Sequence, residues 1–516
     1  MPARQRRLIP KASSLAFGAK TYISVDSLRR RDGREPGLLR RSADSILGPH
    51  MKRRNHASLL ARLAADYEVR SPRSAAIQRD ALKHLVDGGS HTIRLLQPFP
   101  PRITTAHGAY VTDEDGHRIL DFWQGHYANI LGHNPPVVAE ALARAFGQGF
   151  GLQTGFTDAL QVKTAELLCE RTGAERVRFT SSGSLATMYA TFLSRGFTGR
   201  ETVMKVGGGW HGAQPWGLVG VDFHAENAHS FEQQESKGLP HAVAEQVIVT
   251  RFNDVAMLEE QFARNGGRIA CFIFEPFLGS GGFLPATREF LHAARELTKK
   301  YGALLVFDEV ISGFRFCAGS ITRLFGVQPD LATYAKVMGG GMPVAAVAGR
   351  ADVMKLAGRG GGVKFSGGTY SCHPASMLAS FTMMAHLVSQ EASVYPRITD
   401  LAEKARHAVE QAFAASGITV RCTGRSSNAI PASSMAAVHF PHDPATPCDS
   451  PDQTRNPDVC DVELVDSVLQ LALLLEDVFV MHGLGAVSMA HTEEDVARLG
   501  EACEKVARRL VRLIEI

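Results

Sequence analysis

The sequence predicts an α/β fold in which a mainly parallel β-sheet is covered by helices. From about residue 157 onward, strand-forming and helix-forming segments alternate along the chain. The strand candidates at 177–179, 270–274 and 304–307 are mostly apolar, as expected of strands that are buried on both faces. Long helical segments separate these strands, and this alternation is typical of a parallel sheet with helices packed on it.

The length of 516 residues predicts two or three domains. We expect residues 56–150 to contribute to a smaller domain and residues 151–385 to form the large domain. Residues 386–516 would return to the smaller α+β domain, interrupted by a Pro-, Ser- and Asp-rich loop at 425–460. Residues 1–55 are rich in arginine, poor in acids and without periodicity, which predicts a basic, disordered extension. A transit peptide and a segment upstream of the true start are the alternatives.

Charge and cysteine usage exclude several classes of protein. Residues 1–54 hold 14 basic and 4 acidic residues, whereas the remainder holds 42 basic and 48 acidic residues. The mildly acidic body therefore does not indicate nucleic-acid binding. The eight cysteines form no C-x-x-C pair and have no zinc-site spacing, and no apolar run has the length of a transmembrane helix. We expect a cytoplasmic protein that binds small molecules, without metal, nucleic acid or membrane. Organelle targeting by the extension is the alternative.

Lys336 is the first candidate for chemistry. It follows an apolar segment that predicts a strand end, and a glycine run and a proline come soon after it. A lysine held there is partly desolvated, which lowers the pKa of its ammonium and makes the amine a usable nucleophile. Lysine is also the residue that forms a Schiff base with pyridoxal phosphate. The alternative is a lysine whose stem lies on the strand end while its ammonium reaches water.

Asp308 ends the buried strand candidate at 304–307. An acid at such a position is unfavourable unless it is paired, and open α/β sheets bind their ligands at the carboxyl ends of the strands. A carboxylate there is suited to holding a protonated pyridine nitrogen. The alternative is an acid that caps the following helix.

Two small-residue segments are candidates for holding a cofactor. Ser182, Gly183 and Ser184 open a predicted helix, where free N–H groups and the helix dipole favour a phosphate. Simple N-capping by serine is the alternative. The segment 207–212 reads Gly-Gly-Gly-Trp-His-Gly, and its Trp210 is suited to stacking on a planar ring. No ribose-binding acid accompanies it, so a dinucleotide site is not indicated. A surface loop is the alternative here.

The order of these motifs resembles that of the class III, fold-type I pyridoxal-phosphate aminotransferases, and within them the glutamate-1-semialdehyde 2,1-aminomutase subgroup. A small-residue turn is followed by Trp-His-Gly, Asp-Glu-Val, a lysine before a glycine run, and a later Gly-Thr. The resemblance runs from about residue 85 to the C-terminus, except for 425–460. It implies a fold-type I transferase, a pyridoxal 5'-phosphate cofactor and a homodimer with shared active sites.

The resemblance also implies a role for each matching residue. Lys336 would form the internal aldimine, and Asp308 would pair with the pyridine nitrogen. The other implied cofactor residues are Ser182, Gly183 and Ser184 at the phosphate, Val310 on one ring face, Trp210 on the other face, His211 beside Trp210 in the same motif, and Thr369 at the phosphate of the neighbouring subunit. The implied substrate residues are Arg94, whose planar fork suits a carboxylate, and His126, Ser280 and Phe365.

Several positions depart from the family pattern. The residues that replace the usual ones are Ser181 for Asn and Leu185 for Glu in the phosphate turn, Trp210 for Tyr or Phe, Ser280 for Asn, His126 for Trp, and Phe365 near a usual Tyr. Most of these lie where the resemblance places the substrate. The cofactor site is therefore predicted more firmly than the substrate.

The expected chemistry is transfer of an amino group, for which a freed Lys336 would act as the base at the substrate Cα. If donor and acceptor are separate molecules, the enzyme is a transaminase. If both groups belong to one molecule, it is an aminomutase, and a racemase or epimerase would use the same residues. A binding protein without catalysis is the alternative outside enzymes, and the presence of both Lys336 and Asp308 argues against it.

Overall fold

The computed structural model describes residues 56–224, 231 and 233–514. The predicted extension at 1–55 and its targeting alternatives lie outside the described residues. The α-helices of the described part are α1 (Ala57–Arg70), α2 (Pro72–Ala81), α3 (Gln124–Tyr127), α4 (Pro136–Gly147), α5 (Ala159–Thr172), α6 (Gly183–Thr198), α7 (His241–Glu245), α8 (Val255–Asn265), α9 (Arg288–Tyr301), α10 (Thr322–Phe325), α11 (Ala351–Met354), α12 (Pro374–Ser389), α13 (Glu391–Ala414), α14 (Pro451–Thr454), α15 (Gln470–Leu474) and α16 (Glu493–Ile514).

The strands of the described part form one large sheet and several small ones. They are β1 (Ile103–His107), β2 (Tyr110–Asp113), β3 (Arg118–Asp121), β4 (Arg176–Thr180), β5 (Thr202–Val206), β6 (Val247–Thr250), β7 (Ile269–Phe274), β8 (Phe277–Leu278), β9 (Leu284–Pro285), β10 (Leu304–Glu309), β11 (Leu331–Tyr334), β12 (Ala345–Gly349), β13 (Arg421–Cys422), β14 (Met435–Ala436), β15 (Val438–His439), β16 (Val478–Phe479) and β17 (Gly485–Ala486).

The large sheet has seven strands in the order β4-β12-β11-β10-β7-β5-β6. Its neighbours pair in parallel except at β12, which is antiparallel to both β11 and β4. Every residue of β5, β7 and β10 is buried, because helices such as α6 and α9 pack on the sheet. The predicted α/β fold with a mainly parallel, helix-covered sheet is confirmed.

The direction of these strands determines where the site forms. Strands β4, β5, β7, β10 and β11 run the same way, so their carboxyl ends lie at one edge of the sheet. The segments 181–184, 207–212 and Glu275 follow three of these strands directly, Asp308 lies at the end of a fourth, and Lys336 follows the fifth. Open α/β sheets bind their ligands at this edge.

A second hydrophobic cluster draws on residues from both ends of the described chain, within 59–122 and 401–510. Its sheet has the order β1-β2-β3-β16, and C-terminal Val478 pairs in parallel with N-terminal Leu120. Helices α13 and α16 pack against each other in the same cluster. The predicted boundaries at 150 and 385 stay a prediction.

The segment 425–460 contains only short elements, β14, β15 and α14, but much of it is buried. Thr454 Oγ1 donates a hydrogen bond to the carbonyl of Gly281 at 2.8 Å. A Cβ on Gly208 would lie 3.2 Å from Pro451 Cβ. The predicted loop is therefore packed against two glycine turns of the large domain, because those glycines leave room for it.

Within the described ranges, no helix is both long and apolar enough to cross a membrane. In the same residues, no three side chains of His, Cys, Asp or Glu come together as a metal-binding group.

Candidate active site

A cavity of about 280 Å³ opens at the carboxyl edge of the large sheet. It contains residues from each of the five strand ends and from the 125–126 turn. The residues that line it are Gly125, His126, Ser181, Ser182, Gly183, Ser184, Thr187, Trp210, His211, Gly212, Glu275, Asp308, Val310, Ile311, Ala335, Lys336, Met342, Pro343 and Val344. The structure thus brings nine of the predicted site residues into one cavity.

Lys336 begins a short 3-10 turn after β11 and has a left-handed backbone, with φ of 48°. Non-glycine residues adopt this conformation rarely, and active sites are among the places where they do. Burial lowers the pKa of its ammonium, and the Glu275 and Asp308 carboxylates oppose that shift. Its Nζ has no hydrogen-bond partner among the described residues. The amine is therefore available to a ligand and readily deprotonated.

Asp308 is buried at the end of β10 and held by three groups. Its Oδ1 accepts hydrogen bonds from Thr333 Oγ1 at 2.9 Å and from the Val310 N–H at 3.1 Å. His211 Nδ1 lies 2.8 Å from its Oδ2, and since a carboxylate only accepts, Nδ1–H is the donor. Burial lowers the pKa of His211, so the imidazole is neutral. The carboxylate is fixed in place and faces the cavity.

The start of α6 forms a cradle for an anion. Ser182 is the N-cap, and its side chain accepts a hydrogen bond from the Leu185 N–H. A Cβ on Gly183 would lie 3.1 Å from both methyl groups of Val310, and a Cβ on Gly212 would lie 2.3 Å from Ser184 Oγ. Side chains at either glycine would fill the cradle. The free N–H groups and the dipole at the start of a helix favour a phosphate. With 16 residues, α6 is long enough to have such a dipole.

Trp210 lies at the mouth of the cavity, and 43% of its surface is exposed. Its backbone N–H donates to Glu275 Oε1 at 3.0 Å. His211 is fully inside, and its carbonyl accepts a hydrogen bond from Thr187 Oγ1 at 2.6 Å. The loop thus places one aromatic ring at the entrance and one imidazole on Asp308.

Glu275 was missed by the reasoning from sequence. It is 3% exposed, and its Oε2 accepts a hydrogen bond from the Gly279 N–H at 3.1 Å. Burial and the neighbouring Asp308 charge raise the pKa of Glu275 to about 8. The available signal was an acid at the end of the apolar run 269–274, which is the same signal that identified Asp308.

The four predicted substrate residues are not all brought together. His126 lines the cavity, and burial followed by the charge of Lys336 lowers its pKa to about 3. Arg94 is exposed, but its charge also contributes to the lowered pKa of His126. Ser280 borders a separate small cavity near His439. The roles of these residues stay predictions.

Phe365 and Thr369 also lie outside the cavity. The Phe365 ring stacks on Tyr189, with centroids 3.9 Å apart and planes 20° apart. Thr369 is exposed on the surface of the single chain. The role of Thr369 at a phosphate stays a prediction.

Comparison with known proteins places this geometry in context. The model of the family described as aminotransferase class-III matches residues 95–424. A glutamate-1-semialdehyde 2,1-aminomutase of Deinococcus radiodurans is 38% identical over 339 residues, which are 65% of this chain and 75% of that protein.

Solved structures agree with the match. An omega-transaminase from Sphaerobacter thermophilus has a TM-score of 0.76 at 29% identity, covering 84% of this chain and 97% of its own. A structure described as a transaminase with PLP bound has a TM-score of 0.75 at 30% identity, covering 86% of this chain and 99% of its own.

The lowered pKa of Lys336 can be measured by acylation. In protein freed of bound small molecules, we expect Lys336 to reach half its maximal labelling rate at a lower pH than exposed Lys83, because its neutral amine forms earlier. Glu275→Gln should lower that pH further, since the Glu275 charge favours the ammonium. Peptide mass spectrometry measures the rate at each lysine. Equal midpoints for Lys336 and Lys83 would contradict the assignment.

Proposed function

This chain belongs to the class-III aminotransferase family, and from that premise we propose that Lys336 and Asp308 perform amino-group transfer in its cavity. The predicted family, fold type, enzyme class and pyridoxal 5'-phosphate cofactor are confirmed. The proposal concerns which residues act. The observation that carries it is one cavity that holds a fixed buried carboxylate, an anion cradle and a lysine whose Nζ makes no hydrogen bond to the described residues.

The cavity fits the cofactor. When bound, pyridoxal phosphate supplies a carbonyl for an amine and a ring that accepts electrons from the substrate Cα. The cradle of Ser182, Gly183 and Ser184 would hold its phosphate, because glycine at 183 leaves room beside Val310. Trp210 at the mouth and Val310 within the cavity are available to the two ring faces.

Asp308 would pair with the protonated ring nitrogen. Thr333, the Val310 N–H and His211 all donate to its carboxylate, so it cannot rotate away. Hydrogen bonds to the charged form of a carboxylate favour that form. The Asp308 carboxylate is therefore fixed where a cationic nitrogen needs a partner.

Lys336 would act first as the nucleophile and then as a base. Its lowered pKa provides a neutral amine at Nζ, and no hydrogen bond has to break before it reacts. Once the incoming amine has displaced it, the same Nζ would take the proton from the substrate Cα and return it to another carbon. Neutral His126 borders the same space without adding a charge.

A second copy of the chain would complete the site. Thr369 is exposed, and the neighbouring Tyr370 is 63% exposed. Leu152 and Phe156, at 76% and 74%, add exposed apolar surface in the segment before α5. Exposed apolar residues mark surfaces of association where they form a contiguous patch. We propose a homodimer in which Thr369 reaches the phosphate cradle of the other subunit.

We propose a substrate with a carboxylate, bound by Arg94. The Arg94 charge contributes to the lowered pKa of His126, which lines the cavity. Transfer between two molecules is the leading reaction, in keeping with the two transaminase structures. Intramolecular transfer is the second candidate, because relatives named glutamate-1-semialdehyde 2,1-aminomutase are 34–38% identical to this chain.

The first test concerns the two central residues. The purified protein should be yellow and show the visible absorbance band of lysine-bound cofactor, and Lys336→Ala should lose that band. Asp308→Asn should keep the cofactor but slow its reaction with an amino donor by at least about 100-fold, because the ring nitrogen loses its counter-charge. Absorbance spectra and stopped-flow half-reactions measure both effects. A wild-type protein that stays colourless after reconstitution with pyridoxal phosphate would contradict the proposal.

The second test separates the candidate reactions. Amine transfer from glutamate or alanine to an added carbonyl acceptor, followed by the cofactor absorbance, identifies a transaminase. We expect this outcome. Turnover of glutamate-1-semialdehyde without an added donor would identify the aminomutase instead. Deuterium exchange at Cα with loss of chirality, and no transfer, would indicate a racemase.

The third test concerns Arg94. Arg94→Ala should raise KM for a carboxylate substrate about 10- to 100-fold and leave kcat within a few-fold, because a charge-assisted hydrogen bond is lost in substrate and transition state alike. Exposed Arg79→Ala is the matched control and should change neither constant. An Arg94 variant with the parent KM removes this assignment.

A further inference from the structure

Two buried charged residues hold opposite sides of one peptide group beside the cavity. Lys205 Nζ donates to the Gly209 carbonyl at 2.9 Å, and Glu275 Oε1 accepts from the Trp210 N–H at 3.0 Å. These two backbone groups belong to the same peptide bond, between Gly209 and Trp210. Lys205 is 0% exposed and Glu275 is 3% exposed.

The Lys205 ammonium donates all its hydrogen bonds to backbone carbonyls of the loop 207–219. Its Nζ also donates to the carbonyls of Val219 at 2.8 Å and Gly217 at 3.4 Å. A lysine ammonium has three donors, so each is directed at the loop 207–219. Lys205 lies in the wholly buried strand β5, where its side chain cannot reach water. Burial lowers its pKa to about 7, while the Glu275 carboxylate favours the ammonium.

Glu275 joins this loop to a second one. Its Oε2 accepts from the Gly279 N–H at 3.1 Å, at the start of the turn that carries Ser280. The carboxylate lines the cavity together with Lys336. Its two oxygens therefore connect the Trp210 loop with the Ser280 turn.

The peptide group has little freedom to turn. The Gly209 N–H donates to the Val206 carbonyl at 3.3 Å, which holds the residue on the other side of this peptide. His211 in turn donates to Asp308 at 2.8 Å. Turning the Gly209–Trp210 peptide would break bonds on both of its sides and displace both the Trp210 and His211 side chains.

We propose that Lys205 and Glu275 are a positioning pair that clamps the Gly209–Trp210 peptide and thereby sets Trp210 over the cavity and His211 on Asp308. We call this arrangement the peptide clamp. It rests on the proposed function in one respect, since Trp210 and Asp308 matter only if they face the cofactor. Neither clamp residue needs to touch the substrate.

A double-mutant cycle on the loaded enzyme tests the peptide clamp, with Lys205→Met, Glu275→Gln and the double variant. Each single change leaves the other charge buried without its share of the clamp. We expect each single variant to raise the cofactor dissociation constant about 10- to 100-fold. The double variant should lose clearly less than the product of the two single losses, because both residues bind the Gly209–Trp210 peptide, although Glu275 also acts on Lys336 and Gly279.

A local spectroscopic signal separates positioning from general damage. Acrylamide quenching of Trp210, obtained by subtracting the same protein with Trp210→Phe, should increase in both single variants. Trp123, which packs against Phe479 outside the loop 207–219, provides the internal reference and should be unchanged. The circular dichroism of the bound cofactor band should weaken in parallel. Exposed Lys163→Met and Glu166→Gln on α5 are the matched controls and should behave as the parent.

The outcomes are distinct. Multiplied losses in the double variant, or unchanged Trp210 quenching in both single variants, would overturn the clamp. If a variant fails to fold, hydrogen exchange of the unmodified protein decides instead. Peptides covering 207–212 should exchange much more slowly than the largely exposed segment 358–362, and equal rates would overturn the clamp. A parent protein that takes up no cofactor would contradict the proposed function, and the exchange result would still decide the clamp.

Discussion

The hydrogen bonds that fix the Asp308 carboxylate organise this site. Thr333 and His211 reach it from β11 and from the loop after β5, and both groups are in place because the sheet register sets Asp308 directly beside Thr333. Strands β4 and β11 are both antiparallel to β12 and so run the same way, which brings Lys336 and the start of α6 to the same edge. A shift of one residue in β10 would turn Asp308 to the opposite face of the sheet. The chemistry proposed for Lys336 thus depends on a sheet register that is set by buried apolar strands.

Charge balance is the second constraint on the cavity. The carboxylates of Glu275 and Asp308 act on Lys336, and that of Glu275 acts on Lys205, in surroundings from which water is largely removed. Burial lowers the pKa of both lysines and raises that of Glu275, while the opposite charges oppose these shifts. A buried charge that loses its partner is strongly destabilising. The Glu275 charge therefore both affects the protonation of the Lys336 amine and holds the loop that carries Trp210. The reactivity of Lys336 and the position of the Trp210 loop thus depend on the same residue.

The parts of the site that could be predicted from the sequence are those marked by a local pattern of residues along the chain. Lys336 and Asp308 are charges at the ends of apolar strands, and Ser182 opens a helix after a strand. Glu275 has the same signal as Asp308 and was overlooked. The clamping role of Lys205 depends on carbonyls up to 14 residues away along the chain, which no local pattern reveals. The burial of 425–460 depends likewise on glycines at 208 and 281, so composition alone predicted only a loop.

Membership of the family establishes amino-group chemistry with pyridoxal phosphate. The central proposal for this chain is that one atom, Lys336 Nζ, carries the cofactor. Borohydride reduction of the loaded enzyme, followed by peptide mass spectrometry, tests that claim most directly. Reduction fixes the cofactor to whichever amine carries it. We expect a pyridoxyl group on Lys336 alone. A pyridoxyl group on Lys205 or on any other lysine, with Lys336 unmodified, would contradict it.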